Sequence, residues 1–389
     1  MAIQTQSGIF IRTDPALGLI AYSPFSGLFY ACAHKDEEQL LSWLNKQTSN
    51  PPSLLYKQVL GVGWAIDNKE AQYRTPHLLP EATNWPIVPP SYNPILINWL
   101  ITGNCPLNCR YCYAQDLMYG KCKEPSTEEE IERIVHNILL VDPLVVVLTG
   151  GEPLVSPYLE QAIKLLHRKV GIIVDTSGYT LSEKHIQLFR DYGVFVRLSL
   201  DSEIPRINDF LRPILNISIK KHGSRSSSNS AVEALFNLIK NDIKVSIQSV
   251  ATKKNQSDFE YFANTLYKIG VSGWRILLIT KTRDNKLQFD KLVGDKISQR
   301  RLNDYIYKNL LSKQQKFWTN KMSVQVTNNQ NPNAVVLVTP DGAFCTESNI
   351  SADVGKVLID EVYPTRPSIE SIHNTVNMYA HTARYLNFE

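Results

Sequence analysis

The sequence predicts an α/β fold built around a partial (β/α)6 barrel, with a small α+β unit before it and a short extension after it. Short β-branched apolar runs alternate with stretches of helical period between residues 95 and 280. The chain has 389 residues, which is longer than a typical single domain. Its 43% hydrophobic and 20% charged residues can build a large core, so general disorder is excluded.

The first residues predict an antiparallel meander followed by a helix. Three β-branched and aromatic runs, Gly8–Thr13, Gly18–Ser23 and Gly27–Cys32, are separated by turn-forming residues. Asp36 can cap the helix that follows, and six prolines within residues 76–94 indicate a semi-rigid linker.

Beyond the linker, strand and helix patterns alternate, which predicts parallel strands joined by helical crossovers. Six such units fit an incomplete TIM-like barrel better than a complete eightfold one. The predicted strands are Ile95–Thr102, Leu144–Thr149, Gly171–Thr176, Val194–Leu200, Lys244–Val250 and Trp274–Thr280. The predicted helices are Thr127–Leu140, Pro157–Arg168, Ser182–Tyr192, Ala231–Asn241 and Ser257–Ile269.

The last third of the chain is less regular. Alternating charges over Lys281–Arg301 predict a solvated face, and a helical period runs over Asp295–Leu311. A final strand pair is expected at Ala334–Thr339 and Val354–Ile359. The serine-rich Gly223–Ser230 predicts a mobile loop.

Charge and hydropathy exclude several classes of protein. The net charge of +4, from 41 basic and 37 acidic residues, does not favour nucleic acid as a partner. No apolar run approaches the roughly 18 residues of a membrane span, and the first residues lack an export signal. We therefore expect a cytoplasmic protein with no membrane partner. The six cysteines are too sparse for a disulfide scaffold.

Three of the six cysteines lie together directly after the first predicted barrel strand. They are Cys105, Cys109 and Cys112, spaced Cys-x3-Cys-x2-Cys. Three thiolates at this spacing can share one polynuclear iron–sulfur cluster, and a four-iron cube would keep one iron open. Three buried cysteines or an incomplete zinc site are the alternatives, although no fourth ligand stands nearby at zinc-finger spacing.

The segment CPLNCRYCY, with Tyr111 before the last cysteine, resembles the cluster motif of the radical SAM superfamily. Thr149-Gly150-Gly151-Glu152-Pro153, at the end of the second strand, resembles that superfamily's Gly-Gly-Glu-Pro motif. Alone, the two glycines would also fit a tight βα turn. Both motifs in this order are strong evidence.

The resemblance implies a [4Fe-4S] cluster held by the three cysteines and S-adenosylmethionine bound at the open iron. Reductive cleavage then yields a 5′-deoxyadenosyl radical that abstracts a substrate hydrogen. A flavodoxin- or ferredoxin-like electron donor is also implied. The resemblance extends to cofactor contacts, for which a helix cap or turn role is the alternative. The implied cofactor-binding residues are Tyr111, Gly150, Gly151, Glu152, Pro153, Thr176, Ser199, Asp201, Arg212 and Gln248.

The ends of the chain resemble peptide-modifying members. We expect a winged-helix-like domain at 1–75 that binds a leader peptide, a Pro-rich linker at 76–94, the partial barrel at 95–285 and a C-terminal extension at 286–389. An N-terminal cap packed on the barrel is the alternative to leader binding. The extension starts like one that binds auxiliary clusters, but no cysteine follows Cys345, so a single cluster is expected.

The sequence therefore predicts a radical SAM enzyme that epimerises or crosslinks a ribosomally made precursor peptide. Cys345 is the candidate hydrogen donor for epimerisation, with a small buried hydrophobe as the alternative. A radical SAM enzyme that acts on a small molecule, and an iron–sulfur or zinc protein without catalysis, remain as competing hypotheses.

Overall fold

The fold is seen in a computed structural model of the chain. It describes residues 3–4, 8–14, 18–25, 29–32, 37–45, 96–112, 114–115, 123–140, 142–215, 226–279, 286–293, 300–302, 304–305, 308–309, 322–327 and 336–346. No helix among these residues is both long and apolar enough to cross a membrane.

The N-terminal segment forms a four-stranded antiparallel sheet with the strands in chain order. A short helix, α1 (Glu37–Leu44), follows it. The strands are β1 (Ile3–Gln4), β2 (Phe10–Asp14), β3 (Gly18–Tyr22) and β4 (Phe29–Cys32). The last three agree with the runs that the sequence predicted, and β1 was not predicted.

The second sheet is a partial TIM-like barrel. All six predicted strands are present, and two further parallel strands flank them, so that eight neighbouring strands run in one direction. The ninth is antiparallel and lies at one edge. The strands are β5 (Leu96–Thr102), β6 (Val145–Gly150), β7 (Gly171–Thr176), β8 (Phe195–Ser199), β9 (Val245–Ala251), β10 (Gly273–Leu278), β11 (Ser323–Thr327), β12 (Val336–Val338) and β13 (Phe344–Thr346). Their spatial order is β11-β10-β9-β8-β7-β6-β5-β12-β13.

Helices connect successive barrel strands and cover the convex face of the sheet. Each predicted helix of this region is present, and two further helices, α5 and α8, were not predicted. The full set is α2 (Glu128–Leu140), α3 (Leu159–Leu166), α4 (Glu183–Asp191), α5 (Pro205–Leu211), α6 (Ser227–Lys240), α7 (Phe259–Ile269) and α8 (Lys286–Leu292).

The main core lies between the barrel strands and these helices. Trp274 of β10 is fully buried and makes edge-on ring contacts with Phe259 and Phe262 of α7, at centroid distances of 5.3 and 5.4 Å. Since side chains alternate along a strand, the residues between the core positions face the concave interior of the barrel.

The N-terminal sheet packs against the amino ends of the barrel strands. Phe25 makes an edge-on contact with Phe195 at 5.0 Å, and its backbone lies where a Cβ on Gly273 would fall. The ring of Phe10 lies against Gly171 in the same way. Phe195, Gly273 and Gly171 are the first residues of their strands. The sheet therefore closes the floor of the barrel, opposite the carboxyl ends of the strands.

Two predictions for surface segments are wrong. Helix α6 begins at Ser227, inside the expected mobile loop, because Asp209 accepts hydrogen bonds from Ser226, Ser227 and Ser228. The charged stretch Lys281–Arg301 is not simply a solvated face.

Helix α8 crosses that stretch and buries Phe289 and Leu292 against Leu211 and Ile279. The predicted strand Val354–Ile359 lies outside the described residues, and Phe344–Thr346 pairs with Val336–Val338 instead. Most of the predicted Asp295–Leu311 helix also lies outside the described residues. The proposed domain boundaries stay a prediction.

Candidate functional site

The three clustered cysteines lie on the loop that follows β5, at the carboxyl end of the barrel. This loop is held by backbone hydrogen bonds to the segment after α5: Asn108 N donates to Pro213 O at 2.8 Å, and Arg110 N donates to Leu211 O at 3.0 Å. Cys112 N donates to Cys109 O at 3.1 Å. The backbone around the thiols is therefore fixed by the chain itself.

The thiols are a donor set that suits a metal cluster. Burial raises the pKa of Cys105, Cys109 and Cys112, reaching about 12 for Cys112, and Cys109 adds to the shift at the other two. A cluster of iron ions would supply the positive charge that such thiolates need. In the described residues no three His, Cys, Asp or Glu side chains are placed to share a single ion. A four-iron cube binds each cysteine through a different iron and needs no such convergence.

The Gly-Gly pair brings the end of β6 against the cluster loop. Gly150 has φ +122°, and Gly151 N donates to Thr102 O at 2.7 Å. A Cβ would lie 2.4 Å from Thr102 O at Gly150 and 2.1 Å from Asn104 O at Gly151. Only glycine permits this approach at both positions, so the resemblance to the Gly-Gly-Glu-Pro motif has a physical basis here.

Glu152 is buried and ties the ends of β6 and β7 together. Its Oε1 accepts from Thr176 Oγ1 at 2.5 Å and Leu154 N at 3.2 Å, and its Oε2 accepts from Ser177 N at 2.8 Å and from the Ser177 hydroxyl. These four donors fill the usual capacity of a carboxylate. An ammonium bound here would have to share an oxygen with them.

A buried network joins the cluster loop to the end of β8. Tyr111 donates its phenol proton to Asp201, and Arg212 Nη1 donates to the Tyr111 oxygen at 2.6 Å. Burial raises the pKa of Tyr111 and Asp201. Burial disfavours the charge on Arg212, but Cys109, Tyr111 and Asp201 outweigh it and raise the pKa of Arg212. The network holds a permanent cation beside a cluster ligand.

The other candidate residues occupy several levels of the barrel. Pro153 is buried and starts a 3-10 turn, and Ser199 is the last residue of β8. Gln248 lies three residues before the end of β9 and accepts from Arg275 at 3.3 Å. Cys345 lies in β13 opposite Leu337, and its side chain is outside the described residues. The cofactor contacts proposed for these residues stay predictions.

Two further polar residues next to strand ends, Ser177 and Asn255, organise the site. Ser177 donates twice to Glu152, and Asn255 donates to the Asp201 carbonyl at 2.8 Å and the Val250 carbonyl at 2.9 Å. Ser177 directly follows β7, and a polar residue at the carboxyl end of a parallel strand is the sequence signal for such a position.

The fold and this site define a barrel protein whose strand ends carry three clustered thiols beside a close-packed Gly-Gly turn. The model of the Radical SAM superfamily matches residues 99–266. The chain therefore carries a radical SAM domain.

Known proteins resemble the chain over different spans. The S-adenosylmethionine-dependent nucleotide dehydratase of Flammeovirga pacifica is 26% identical over 265 residues, which is 65% of this chain and 82% of that protein. Streptococcus suis SuiB bound to precursor peptide SuiA has a TM-score of 0.59 at 11% identity and covers 98% of this chain and 90% of that chain. Native anSMEcpe with bound AdoMet and Kp18Cys peptide has a TM-score of 0.51 at 15% identity, covering 76% and 83%. These structural likenesses show the fold.

Radical SAM enzymes use a [4Fe-4S] cluster and S-adenosylmethionine, and the residues described above fit both groups. Cys105, Cys109 and Cys112 would hold the cluster. The close approach of Gly150 and Gly151 to the backbone of Thr102 and Asn104 holds the end of β6, which would lie beside the methionine moiety, against the loop that would hold the cluster.

Proposed function

We propose that this radical SAM enzyme modifies a ribosomally made precursor peptide in the cytoplasm, by epimerisation or by a carbon-centred crosslink. When bound, the cluster and S-adenosylmethionine supply a one-electron cleavage and a 5′-deoxyadenosyl radical that abstracts a substrate hydrogen. A flavodoxin- or ferredoxin-like protein supplies the electron.

One observation carries the peptide assignment: a four-stranded antiparallel sheet precedes the barrel and ends in the edge strand β4. An extended peptide can add to such an edge through backbone hydrogen bonds. The fold likeness to SuiB, whose structure includes a precursor peptide, extends over this part of the chain and supports the proposal.

The position of that sheet sets a minimum distance between the bound leader and the modified residue of the peptide. The sheet closes the floor of the barrel, whereas the cluster loop lies at the carboxyl ends of the strands. The longest described barrel strands, β5 and β9, have seven residues each and span about 23 Å. A peptide held at β4 therefore needs at least about seven extended residues between its bound leader and its modified residue.

The chain's own residues would prepare the site for this reaction. The network of Tyr111, Asp201 and Arg212 places a buried guanidinium and its carboxylate partner beside the cluster loop. Cys345 is the proposed hydrogen donor for epimerisation. Its backbone lies in the register row of Leu337 and Asn98, two strands from β5 with β12 between them.

The experiment is anaerobic reconstitution in heavy water with each short peptide encoded directly beside the gene. Deuterium at one α-carbon indicates epimerisation, and a mass loss of two hydrogens indicates a crosslink. Retained epimerisation in Cys345→Ala would remove the donor role of that residue.

A second candidate is the dehydration of a nucleotide, favoured by the sequence similarity to the Flammeovirga pacifica enzyme. The same reconstituted protein, supplied with nucleoside triphosphates and no peptide, separates the two. Turnover of a triphosphate without turnover of the peptide would replace the peptide proposal.

A further inference from the structure

The interior of the barrel carries an arginine that the proposed chemistry does not use. Arg275 lies between Trp274 and Ile276, whose side chains pack into the helix-facing core. Because side chains alternate along β10, Arg275 points to the concave side. It lies three residues before the end of its strand, about 10 Å below the carboxyl edge of the barrel.

Within the described part of the chain, Arg275 makes one hydrogen bond, from Nη1 to Gln248 Oε1 at 3.3 Å. Its Nε is buried and has no hydrogen-bond partner among those residues. A nearby arginine shows the contrast: Arg197 binds Asp175 through two hydrogen bonds of 2.5 and 2.8 Å. One interior guanidinium is thus matched to a carboxylate and the other is not.

The described charges on the concave face do not balance. Over β7 to β10 the charged side chains at concave-face positions are Arg197, Arg275 and Asp175, which leaves one positive charge among the described residues. Burial and the neighbouring Arg197 lower the pKa of Arg275 to about 10. A buried guanidinium with an open donor is normally completed by an anion.

We propose that Arg275 and Gln248 form a subsite for one carboxylate of the substrate. This proposal rests on the proposed function, since the carboxylate is the side chain of an Asp or Glu in the precursor peptide. A guanidinium donates two parallel hydrogen bonds to a carboxylate, and the Gln248 amide can add a third.

The charge and the depth of the subsite define its ligand. One unbalanced positive charge fits a single carboxylate, whereas a triphosphate would need several cations. The N-terminal sheet closes the floor, so the ligand enters from the mouth, past the cluster. An extended chain covers about 10 Å in three residues, so the acidic residue lies within about three residues of the modified one.

The test measures binding calorimetrically, using the reconstituted full-length protein loaded with S-adenosylmethionine. The probes are N-acetylglutamate methylamide, its glutamine analogue, inorganic phosphate and CTP. We expect the glutamate probe to bind at millimolar concentration and the glutamine analogue to bind at least tenfold more weakly.

Two variants address the subsite by different routes. Arg275→Gln removes the cation, and Gln248→Glu supplies a carboxylate from the chain itself, which keeps the interior charge paired if the first variant does not fold. Both variants should weaken binding of the glutamate probe at least tenfold. Arg190→Gln, an exposed arginine on α4 that contacts Gln187, is the matched control and should bind like the unchanged protein.

Three results would overturn the proposal: no binding of the glutamate probe, equal binding of the glutamine analogue, or unchanged binding in both variants. Tighter binding of CTP or phosphate that both variants abolish would assign the subsite to a nucleotide and overturn the peptide substrate as well. If the precursor is modified equally by the unchanged protein and Arg275→Gln, the subsite fails while the proposed function stands.

Discussion

Arg212 donates a 2.6 Å hydrogen bond to the phenol oxygen of Tyr111, a residue that lies between two of the three clustered cysteines. Tyr111 in turn donates a hydrogen bond from its phenol group to the Asp201 carboxylate. A residue of the cluster loop is thereby joined to the end of β8 through two charged groups.

Tyr111→Phe should lower the free energy of unfolding by about 1–3 kcal/mol, because it leaves the buried Asp201 and Arg212 each without one partner. Urea denaturation of the cluster-free protein measures this. Tyr261→Phe is the control, since Tyr261 is 68% exposed and should lose nothing measurable. Equal stability of the two variants would mean that the network contributes nothing to the fold.

Gly151→Ala should displace the cluster loop, because the added Cβ would lie 2.1 Å from the Asn104 carbonyl oxygen. We expect a loss of about 1–3 kcal/mol in stability and an iron content after reconstitution well below that of the unchanged protein. Gly270→Ala is the control variant. Gly270 has φ +92°, but no atom lies within 4 Å of an added Cβ. This variant should therefore lose about 1–2 kcal/mol of stability and keep its iron content. Full iron in Gly151→Ala would contradict the close approach of β6 to the loop.

His185 should make stability depend on pH. Burial, with Lys184 adding to it, lowers the pKa of His185 below its usual 6.5, and its Nδ1 accepts from Ser182 N at the start of α4. The folded protein favours the neutral ring, so its stabilising contribution is present above pH 6.5 and is lost as the pH falls through the lower pKa of the folded state.

The check is the urea midpoint at pH 7.5 and pH 5. His185→Gln keeps an acceptor for Ser182 without titrating, so its midpoint should fall less on acidification than that of the unchanged protein. The same fall in both proteins would show that His185 is not responsible.

Phe25→Ala should loosen the floor of the barrel. The Phe25 ring is buried and contacts Phe195 at 5.0 Å, so its removal should cost about 3–5 kcal/mol. Phe236→Ala, at a ring that is 52% exposed, should cost less than about 0.5 kcal/mol. Similar midpoints for the two variants in thermal denaturation would contradict the packing of the N-terminal sheet on the barrel.

Local patterns predicted most of the barrel. Its strands are short apolar runs and the predicted helices follow an apolar helical period, so both could be located to within a few residues. The serine-rich segment failed because composition does not show that Asp209, in another helix, caps the start of α6. Helix α8 was missed because its alternating charges hid Phe289 and Leu292, which are buried by tertiary contacts.

The site was predictable where chemistry fixes spacing. The cysteine triplet and the Gly-Gly pair depend on neighbours in sequence, whereas the partners of Glu152 come from the end of another strand. The unmatched guanidinium of Arg275 could not be foreseen, since it depends on which charges Arg197 and Asp175 cancel across the barrel.

The central claim is tested most directly by anaerobic reconstitution with iron and sulfide, followed by dithionite and S-adenosylmethionine. We predict about four iron atoms per chain, formation of 5′-deoxyadenosine, and loss of both when Cys105, Cys109 and Cys112 are replaced by alanine. A full iron complement with no cleavage of S-adenosylmethionine would contradict a radical SAM enzyme.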